Sequence, residues 1–264
     1  PLHRVTVGAS TGNGTLTAMD FSGPIDDGDR VKYRLNLLND EGHGYTSGSH
    51  KRRQLASLGL DFQLTDKTVL ESNFSYYHYY EKGMPGSFAL AKGVHFPAAF
   101  DPTDSKYGQS YAGHDDETTT VDMHIKHDFD GNWLLDVGVL RQIADRESTT
   151  VTNTLTDNRG NYTTTTSNSA ASRFTINSYM ANLTGSVDTG WLGHDISAGV
   201  RGFVWKNYNP VAGGTFTRDG ARRQRLLHSA HAGARTHLQN PPAFQHGVSW
   251  FWWTARHVCH RKYY

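Results

Sequence analysis

Long runs in which apolar and polar residues alternate restrict the possible fold of this sequence more than any other feature. In the stretch TTTVDMHIKHDF, Val121, Met123 and Ile125 fall on one face and polar residues on the other. A period of two is that of a β-strand. It predicts nine strands, near residues 3–11, 14–23, 30–40, 51–65, 68–81, 117–129, 133–147, 174–188 and 194–206. Several exceed the length of about 5 to 6 residues usual in globular proteins, which indicates a tilted sheet crossing a thick layer.

The predicted connections alternate between short turns and long loops. DDGD, TDK, DGN and TGWLG are short and turn-like, whereas the connections at 41–50, 82–116 and 148–173 are longer. The polar segment 149–169 is interpreted as a mobile extracellular loop. Outer-membrane barrels have short periplasmic turns and long extracellular loops. The predicted fold class is therefore all-β, an antiparallel transmembrane β-barrel portion of about nine strands.

Composition excludes several other classes of protein. Only 36% of the residues are hydrophobic, and no window approaches the roughly 18 to 20 apolar residues of a membrane helix. The single cysteine, Cys259, excludes an internal disulfide framework. The sequence contains no phosphate-binding loop, zinc-protease motif or nucleophile elbow. We therefore predict no enzyme, no catalytic residue and no metal site.

The stretch NFSYYHYYEKG, residues 73–83, carries four tyrosines at the end of one predicted strand. Tyr76 and Tyr80 share the apolar face, where their rings suit a membrane interface. Tyr77 and Tyr79 share the opposite face, which would line the lumen of a barrel. A solvated sheet of a soluble protein is the alternative, and the strand lengths and loop asymmetry argue against it.

Two segments carry a resemblance to a known family. DFSGPIDDG (Asp20–Gly28) and YRLN (Tyr33–Asn36) are followed by LTDKT (64–68) and an aromatic-rich strand that runs into a Pro/Gly loop. In this order and spacing, residues 1–206 resemble the start of the barrel in TonB-dependent outer-membrane receptors of the siderophore type. The chain also begins without methionine or a signal peptide, so we expect it to be a piece of a longer protein.

The resemblance implies a barrel of about 22 strands, closed by an N-terminal plug domain, in the bacterial outer membrane. The implied function is uptake of a ferric siderophore, with iron present only as part of the transported chelate and no cofactor. The implied partners are outer-membrane lipid and the TonB energy complex, the latter through a plug domain absent from this chain; no nucleic acid is implied. Two other classes stay open, an adhesin or autotransporter passenger and a passive porin. A plug domain encoded upstream would exclude both.

The candidate ligand contacts lie in the lumen and in the aromatic-rich loop 82–116. Bulky iron chelates suit a mouth lined with aromatic rings and a few cations. The candidates are Tyr77, Tyr79, Phe88, Phe96 and Tyr107. The alternative is that the loop rings pack the loop against the barrel rim.

The end of the chain differs in composition from the rest. Residues 1–217, interpreted as the N-terminal part of the receptor barrel, carry 18 Lys/Arg and 24 Asp/Glu. Residues 218–264 carry eight Lys/Arg, one acid and six histidines, without sustained alternation. We assign no domain there and interpret the segment as an aberrant tail, translated out of frame or left by gene decay. The alternative is a basic, His-rich tail that binds nucleic acid or metal.

Overall fold

The described strands form one β-sheet. The computed structural model describes residues 1–129, 132–190 and 192–209, and the backbone of 214–219, 243–246 and 250–256. The described strands are β1 Leu2–Ser10, β2 Gly14–Pro24, β3 Val31–Gly42, β4 His50–Thr65, β5 Thr68–Lys82, β6 Ser87–Leu90, β7 Gly113–Phe129, β8 Trp133–Leu155, β9 Tyr162–Thr189, β10 Leu192–Tyr208, β11 Gly214–Asp219, β12 Ala243–His246 and β13 Trp250–Arg256. A single 3₁₀ turn lies at Ser105–Tyr107. No described residue belongs to a helix with the length and hydropathy of a membrane span.

Nine long strands follow one another as antiparallel neighbours, in the order β1-β2-β3-β4-β5-β7-β8-β9-β10. This confirms the predicted all-β antiparallel fold. The four short strands were not predicted. β6 pairs in parallel with β8, β11 pairs with β9, and β12 and β13 both pair with β10. The other residues of the predicted tail, 220–242, 247–249 and 257–264, lie outside the described part of the chain.

The connections follow the predicted asymmetry only in part, since the end of the sheet with the longest connection also carries the three-residue turn 11–13. At one edge of the sheet, β4 ends at Thr65 and β5 begins at Thr68, and β9 ends only three positions before β10 begins. At the opposite edge, a segment of 30 residues separates β5 from β7, and this segment contains β6. We call the end of the strands that carries the short turns the turn edge, and the end that carries the 30-residue connection the loop edge. Both terms refer to the ends of the strands and not to the outermost strands of the sheet.

The predicted loop at 148–173 is wrong. β8 continues to Leu155 and β9 begins at Tyr162, so only the segment 156–161 is a turn. The threonines and valine that gave the segment its polar, low-complexity appearance are β-branched, and such side chains favour extended backbone. The polarity of this segment therefore did not indicate a loop. β8 and β9 form a hairpin that extends beyond the first residue of β7.

One face of the sheet is apolar. On β7 the exposed side chains Val121, Met123 and Ile125 lie on this face, and Phe74 on β5 pairs directly with Val121. On β8 the same face carries Val139, which pairs with Met123 and is 54% exposed. We call this stretch of outward-pointing apolar residues the apolar band. It confirms the faces predicted from the alternation.

The apolar band runs obliquely across the sheet. On β2 and β3 the apolar residues Met19 and Leu37 pair with each other. Followed through the paired residues of the intervening strands, the same row reaches Thr175 on β9 and Lys206 on β10. The apolar residues of β10 lie closer to the turn edge, as at Val200. A band that changes row from strand to strand means that the strands are tilted relative to it, as in a barrel wall.

The opposite face is polar and internally paired. Arg34 Nε donates to Asp20 Oδ1 at 3.1 Å, and Lys126 Nζ donates to Glu71 Oε1 at 2.7 Å. A third carboxylate, that of Asp136, lies 3.0 Å from the Nδ1 of a histidine on β7. These contacts join neighbouring strands two by two. The charges of these three pairs are therefore satisfied across the sheet.

Tyr76 and Tyr80 lie on the apolar face, as predicted. Tyr76 pairs with Ala56 and borders the apolar band, while Tyr80 lies two positions nearer the loop edge on the same face. The Tyr80 ring centre is 5.6 Å from Arg52 Cζ and 5.8 Å from Lys82 Nζ. The aromatic residues thus stand where the apolar surface gives way to charged groups.

Candidate functional site at the loop edge

The long connection 83–112 is an ordered cap on the β8–β9 hairpin. β7 does not extend as far as β8 residues 152–155. β6 pairs with these residues in place of β7. We call residues 83–112 the loop cap. Val151, Asn153 and Leu155 are buried beneath it. By strand alternation these three lie on the same side of β8 as Val139.

A buried asparagine ties the loop cap to the hairpin. Asn153 is 1% exposed; its Nδ2 donates to the Tyr107 carbonyl at 2.7 Å and its Oδ1 accepts from Thr164 Oγ1 at 2.7 Å. The same Tyr107 carbonyl accepts from the Gly86 N–H at 3.2 Å. A Cβ at Gly86 would lie 2.3 Å from that oxygen, so this close approach requires glycine.

Half-buried aromatic rings pack against one another in the loop cap. Phe88 and Phe100 are stacked with ring centres 4.3 Å apart, and both contact Tyr107, at 5.2 and 4.6 Å. Lys106 Nζ lies 4.7 Å from the centre of the Tyr107 ring. Tyr162 on β9 adds a contact 6.1 Å from Tyr107. Three mutually touching rings over a buried asparagine make a small core, which fits the packing alternative for Phe88 and Tyr107.

Asn153→Ala should release the loop cap without unfolding the sheet. It removes the two hydrogen bonds of the Asn153 side chain, to the Tyr107 carbonyl and from Thr164 Oγ1, each worth about 0.5–1.5 kcal/mol. We expect faster proteolytic cleavage between residues 83 and 112, measured by limited proteolysis and mass spectrometry. Asn158→Ala is the control: Asn158 Oδ1 accepts from the His95 N–H in an exposed turn, where water replaces it. Equal cleavage of both variants would contradict the role of Asn153.

A second group of aromatic and cationic residues lies on the polar face, beyond the apolar band. Tyr79 pairs with Arg53 on β4 and with Asp116 on β7, and Asp116 pairs in turn with Arg146 on β8. Tyr77 lies on the same face two residues before Tyr79. These residues form one continuous strip because strands are about 4.8 Å apart and side chains two residues apart share a face.

The strip continues onto β9 and β10. Phe174 and Trp205 are stacked with ring centres 5.8 Å apart and an interplanar angle of 10°. Arg146 Cζ lies 5.4 Å from the centre of the Phe174 ring. We call the whole set the rim patch; its members are Arg53, Tyr77, Tyr79, Arg146, Phe174 and Trp205.

Neighbouring carboxylates set the electrostatics of the rim patch. Arg53 Nε donates to Asp40 Oδ2 at 2.8 Å, so its charge is paired. Burial, together with a hydrogen bond to Glu81, raises the pKa of Tyr79 to about 12, so this phenol stays neutral. Burial also raises the pKa of Asp116, partly offset by nearby cations. The patch therefore offers neutral rings beside guanidinium groups.

The structure divides the five predicted site residues into separate groups. Tyr77 and Tyr79 belong to the rim patch, whereas Phe88 and Tyr107 belong to the interior of the loop cap. Phe96 lies on the outside of the cap and is 72% exposed. Sequence analysis missed the other four members of the rim patch, Arg53, Arg146, Phe174 and Trp205. Alternation along 194–206 does place Trp205 on the polar face, and a large ring there is the signal that was overlooked.

No metal centre is formed by the described residues: none of their His, Cys, Asp and Glu side chains come together in groups of three or more that could hold an ion. The site is instead a surface of rings, hydroxyl groups and guanidinium groups. Such a surface binds by stacking, hydrogen bonding and charge. Tilted antiparallel strands, an oblique apolar band and a paired polar face define the class of this fold, the wall of an outer-membrane type β-barrel.

Known structures identify the fold more closely. The ferric preacinetobactin receptor BauA of Acinetobacter baumannii matches with a TM-score of 0.67 at 14% identity, over 79% of this chain and 31% of that receptor. FpvA of Pseudomonas aeruginosa, bound to a pyoverdine, matches with a TM-score of 0.69 at 17% identity, over 84% and 29%. The ferric-catecholate import receptor Fiu of Escherichia coli matches with a TM-score of 0.60 at 20% identity, over 80% and 33%.

These matches are matches of fold. No protein-family model and no curated protein matches the sequence. The chain spans about a third of the length of the receptors it resembles. At the level of the fold, they confirm the resemblance to siderophore receptors predicted from the sequence. The neighbours are receptors rather than enzymes, in agreement with the predicted class of function.

Proposed function

We propose that this chain forms part of the barrel wall of an outer-membrane receptor that takes up a ferric siderophore. The apolar band then faces lipid and the polar face lines the lumen. The rim patch is the observation that carries the proposal, because it places rings and guanidinium groups on the lumen side near the mouth. Iron enters only as part of the chelate, which is the substrate.

The rim patch suits a bulky ligand with planar groups and acidic oxygens. Tyr77, Tyr79, Phe174 and Trp205 offer ring faces for stacking, and Arg146 offers a planar donor group. In the loop cap, Phe96 is the exposed candidate for a further contact, while Phe88 and Tyr107 hold the cap in shape. Release of the ligand inward would use the TonB energy complex, acting through a plug domain supplied by another part of the polypeptide.

The test is binding of ferric siderophores to the protein made from its complete gene in a Gram-negative outer membrane. Iron-loaded catecholates, hydroxamates and mixed chelates are offered in turn, and bound and imported radioactive iron is counted. We expect one class to bind. Arg146→Met should weaken that binding roughly 10- to 150-fold, because it removes a charged donor worth about 1.5–3 kcal/mol. Tyr79→Ala should weaken it a fewfold, and Tyr79→Phe less.

Arg141→Gln is the matched control, since Arg141 lies on the opposite face of the same strand as Arg146. Its siderophore affinity should equal that of the unmodified protein. If no iron chelate binds while the protein is correctly inserted, the receptor proposal is wrong. If a chelate binds equally well to Arg146→Met and Tyr79→Ala, the receptor stands but its ligand contacts lie elsewhere.

A further inference from the structure

Charged side chains beside the rim patch lie in pairs of opposite sign. Arg53 on β4 is the register partner of Asp40 on β3 and donates to its Oδ2 at 2.8 Å. Two positions nearer the loop edge, Lys51 on β4 is the register partner of Glu81 on β5. Register partners on antiparallel strands have their Cβ atoms about 4.5–5.5 Å apart, so each cation is offset by an acid.

The remaining cation of the rim patch has an acidic partner of the same kind. Arg146 on β8 is the register partner of Asp116 on β7. His114 on β7 lies opposite Glu81 and adds no charge when its ring is neutral. The described residues around the rim patch therefore carry cations and carboxylates in equal number.

The loop cap repeats this balance. Between residues 83 and 112 it contains two lysines and two aspartates, which are Lys92, Lys106, Asp101 and Asp104. Lys106 Nζ lies 2.7 Å from Asp104 Oδ2. The turn 156–161 adds one acid and one cation, Asp157 and Arg159. No part of this surface therefore offers a surplus of positive charge to a ligand.

Hydroxyl groups occupy the hairpin face that lies above the rim patch and opposite the loop cap. Thr150 on β8 and Ser167 on β9 are register partners, both exposed, four positions beyond Arg146. Neither 148–155 nor 162–168 contains a charged residue. Further pairs of hydroxyl groups follow toward the tip, Thr152 with Thr165 and Thr154 with Thr163. We call this surface the hydroxyl face.

The charge balance and the hydroxyl face favour the same kind of ligand. A multiply charged anion loses its hydration on binding, and a site without surplus cations does not compensate that cost. Hydroxyl groups both donate to and accept from amide groups. Iron(III) bound by three hydroxamates is uncharged, whereas iron(III) bound by three catecholates carries three negative charges.

We propose that the chelate bound at the rim patch is an uncharged tris-hydroxamate with amide groups at its periphery. This inference rests on the proposed receptor function and names its substrate class. The rings of the rim patch stack on the chelate, and Arg146 donates to a hydroxamate oxygen. Thr150 and Ser167 hydrogen-bond the peripheral amides. A tris-catecholate is rejected because its charge stays uncompensated.

The test compares two iron chelates built on one scaffold, one with three hydroxamates and one with three catecholates. Both are labelled with radioactive iron and offered to outer membranes that contain the protein made from its complete gene. We expect the hydroxamate to bind roughly 100-fold more tightly, because each uncompensated charge of the catecholate is worth about fivefold at a separation of about 4 Å in water.

Asp116→Asn should shift this preference toward the catecholate. It leaves one cation unpaired, so the ratio of catecholate to hydroxamate affinity should rise about fivefold. Asp61→Asn is the matched control, since Asp61 lies on the polar face of β4, eight positions from Arg53 toward the turn edge. That separation is about 26 Å, well beyond the Debye length of about 8 Å, so the ratio should not change.

Thr150→Val removes one hydroxyl group of the hydroxyl face at nearly constant volume. Hydroxamate binding should weaken about 2- to 10-fold, the usual contribution of one hydrogen bond. Thr166→Val is the control, because Thr166 lies on the opposite face of β9 from Ser167. Unaffected hydroxamate binding by Thr150→Val would overturn the part assigned to the hydroxyl face.

Two outcomes would overturn the substrate class and keep the receptor function. One is tighter binding of the tris-catecholate than of the tris-hydroxamate by the unmodified protein. The other is an affinity ratio that is the same in Asp116→Asn and Asp61→Asn. Failure of every iron chelate to bind the correctly inserted protein would instead refute the receptor function, and the substrate class with it.

Discussion

Met123→Arg should prevent stable insertion of the protein into the outer membrane. Met123 is 46% exposed on the apolar face of β7, between Val121 and Ile125, and pairs with Val139 on β8. An arginine at the middle of a lipid-facing strand costs about 2–4 kcal/mol in barrels, and the cost falls near the interface. We expect loss of the heat-modifiable form on gels of outer membranes, and a lower urea midpoint for whatever protein inserts.

Asn73→Arg is the matched control for this charge. Asn73 is exposed on the polar face of β5, and its Nδ2 donates to Asp122 Oδ1 at 2.9 Å. An arginine there meets a carboxylate across the strand pair, so insertion should proceed as in the unmodified protein. If both variants insert equally well, the apolar face does not contact lipid. If both fail equally, the two faces do not differ in environment.

Gly113→Ala should disrupt the start of β7 and, with it, the packing of the loop cap on the β8–β9 hairpin. Gly113 has a φ of 147°, and a Cβ there would lie 1.9 Å from the Glu81 carbonyl oxygen and 2.8 Å from its carbon. Both obstacles are backbone atoms of the neighbouring strand and cannot rotate away. We expect the free energy of unfolding to fall by about 2–4 kcal/mol, which is in the upper range for single substitutions. The measurements are thermal unfolding in detergent and protease cleavage near residue 113.

Gly8→Ala provides the comparison for a glycine without this constraint. A Cβ at Gly8 would lie 3.4 Å from Leu16 Cβ, which is an ordinary contact. Its unfolding temperature should stay within about a degree or two of the unmodified protein, since tolerated surface changes are usually worth less than 0.5 kcal/mol. An unchanged unfolding temperature for Gly113→Ala would show that the backbone at β7 adapts more freely than its geometry implies. A large fall in unfolding temperature for Gly8→Ala would show that the Cβ distances do not separate the two glycines.

The main architecture was predictable because alternation along a strand has a direct physical cause. Val121, Met123 and Ile125 must share a face in any extended strand, and a lipid-facing wall requires them to be apolar. The short turns at the turn edge could also be predicted, from their Gly, Asp and Asn residues. Pairing order followed from these two features, since short turns force neighbouring strands to be antiparallel.

The extent of the β8–β9 hairpin and the nature of the loop cap could not be predicted in the same way. Threonine-rich sequence is compatible with a loop and with a strand, and only pairing partners decide between them. β6 pairs with residues more than 60 positions later in the chain, which no local pattern encodes. The same holds for Phe174 and Trp205, whose stacking depends on the register between β9 and β10.

The length of the hairpin sets how far the loop cap stands above the level of Arg141. β8 runs 14 positions from Arg141 to Leu155, which at about 3.3 Å per residue is roughly 46 Å of extended chain. With strands tilted by about 40°, the tip stands roughly 35 Å above the level of Arg141. In the orientation proposed above, the loop cap, with Phe96 on its outside, therefore lies farther from the membrane than the rim patch. In the receptor proposed above, discrimination among iron chelates would therefore begin at the height of the cap, before any of them touches the wall below.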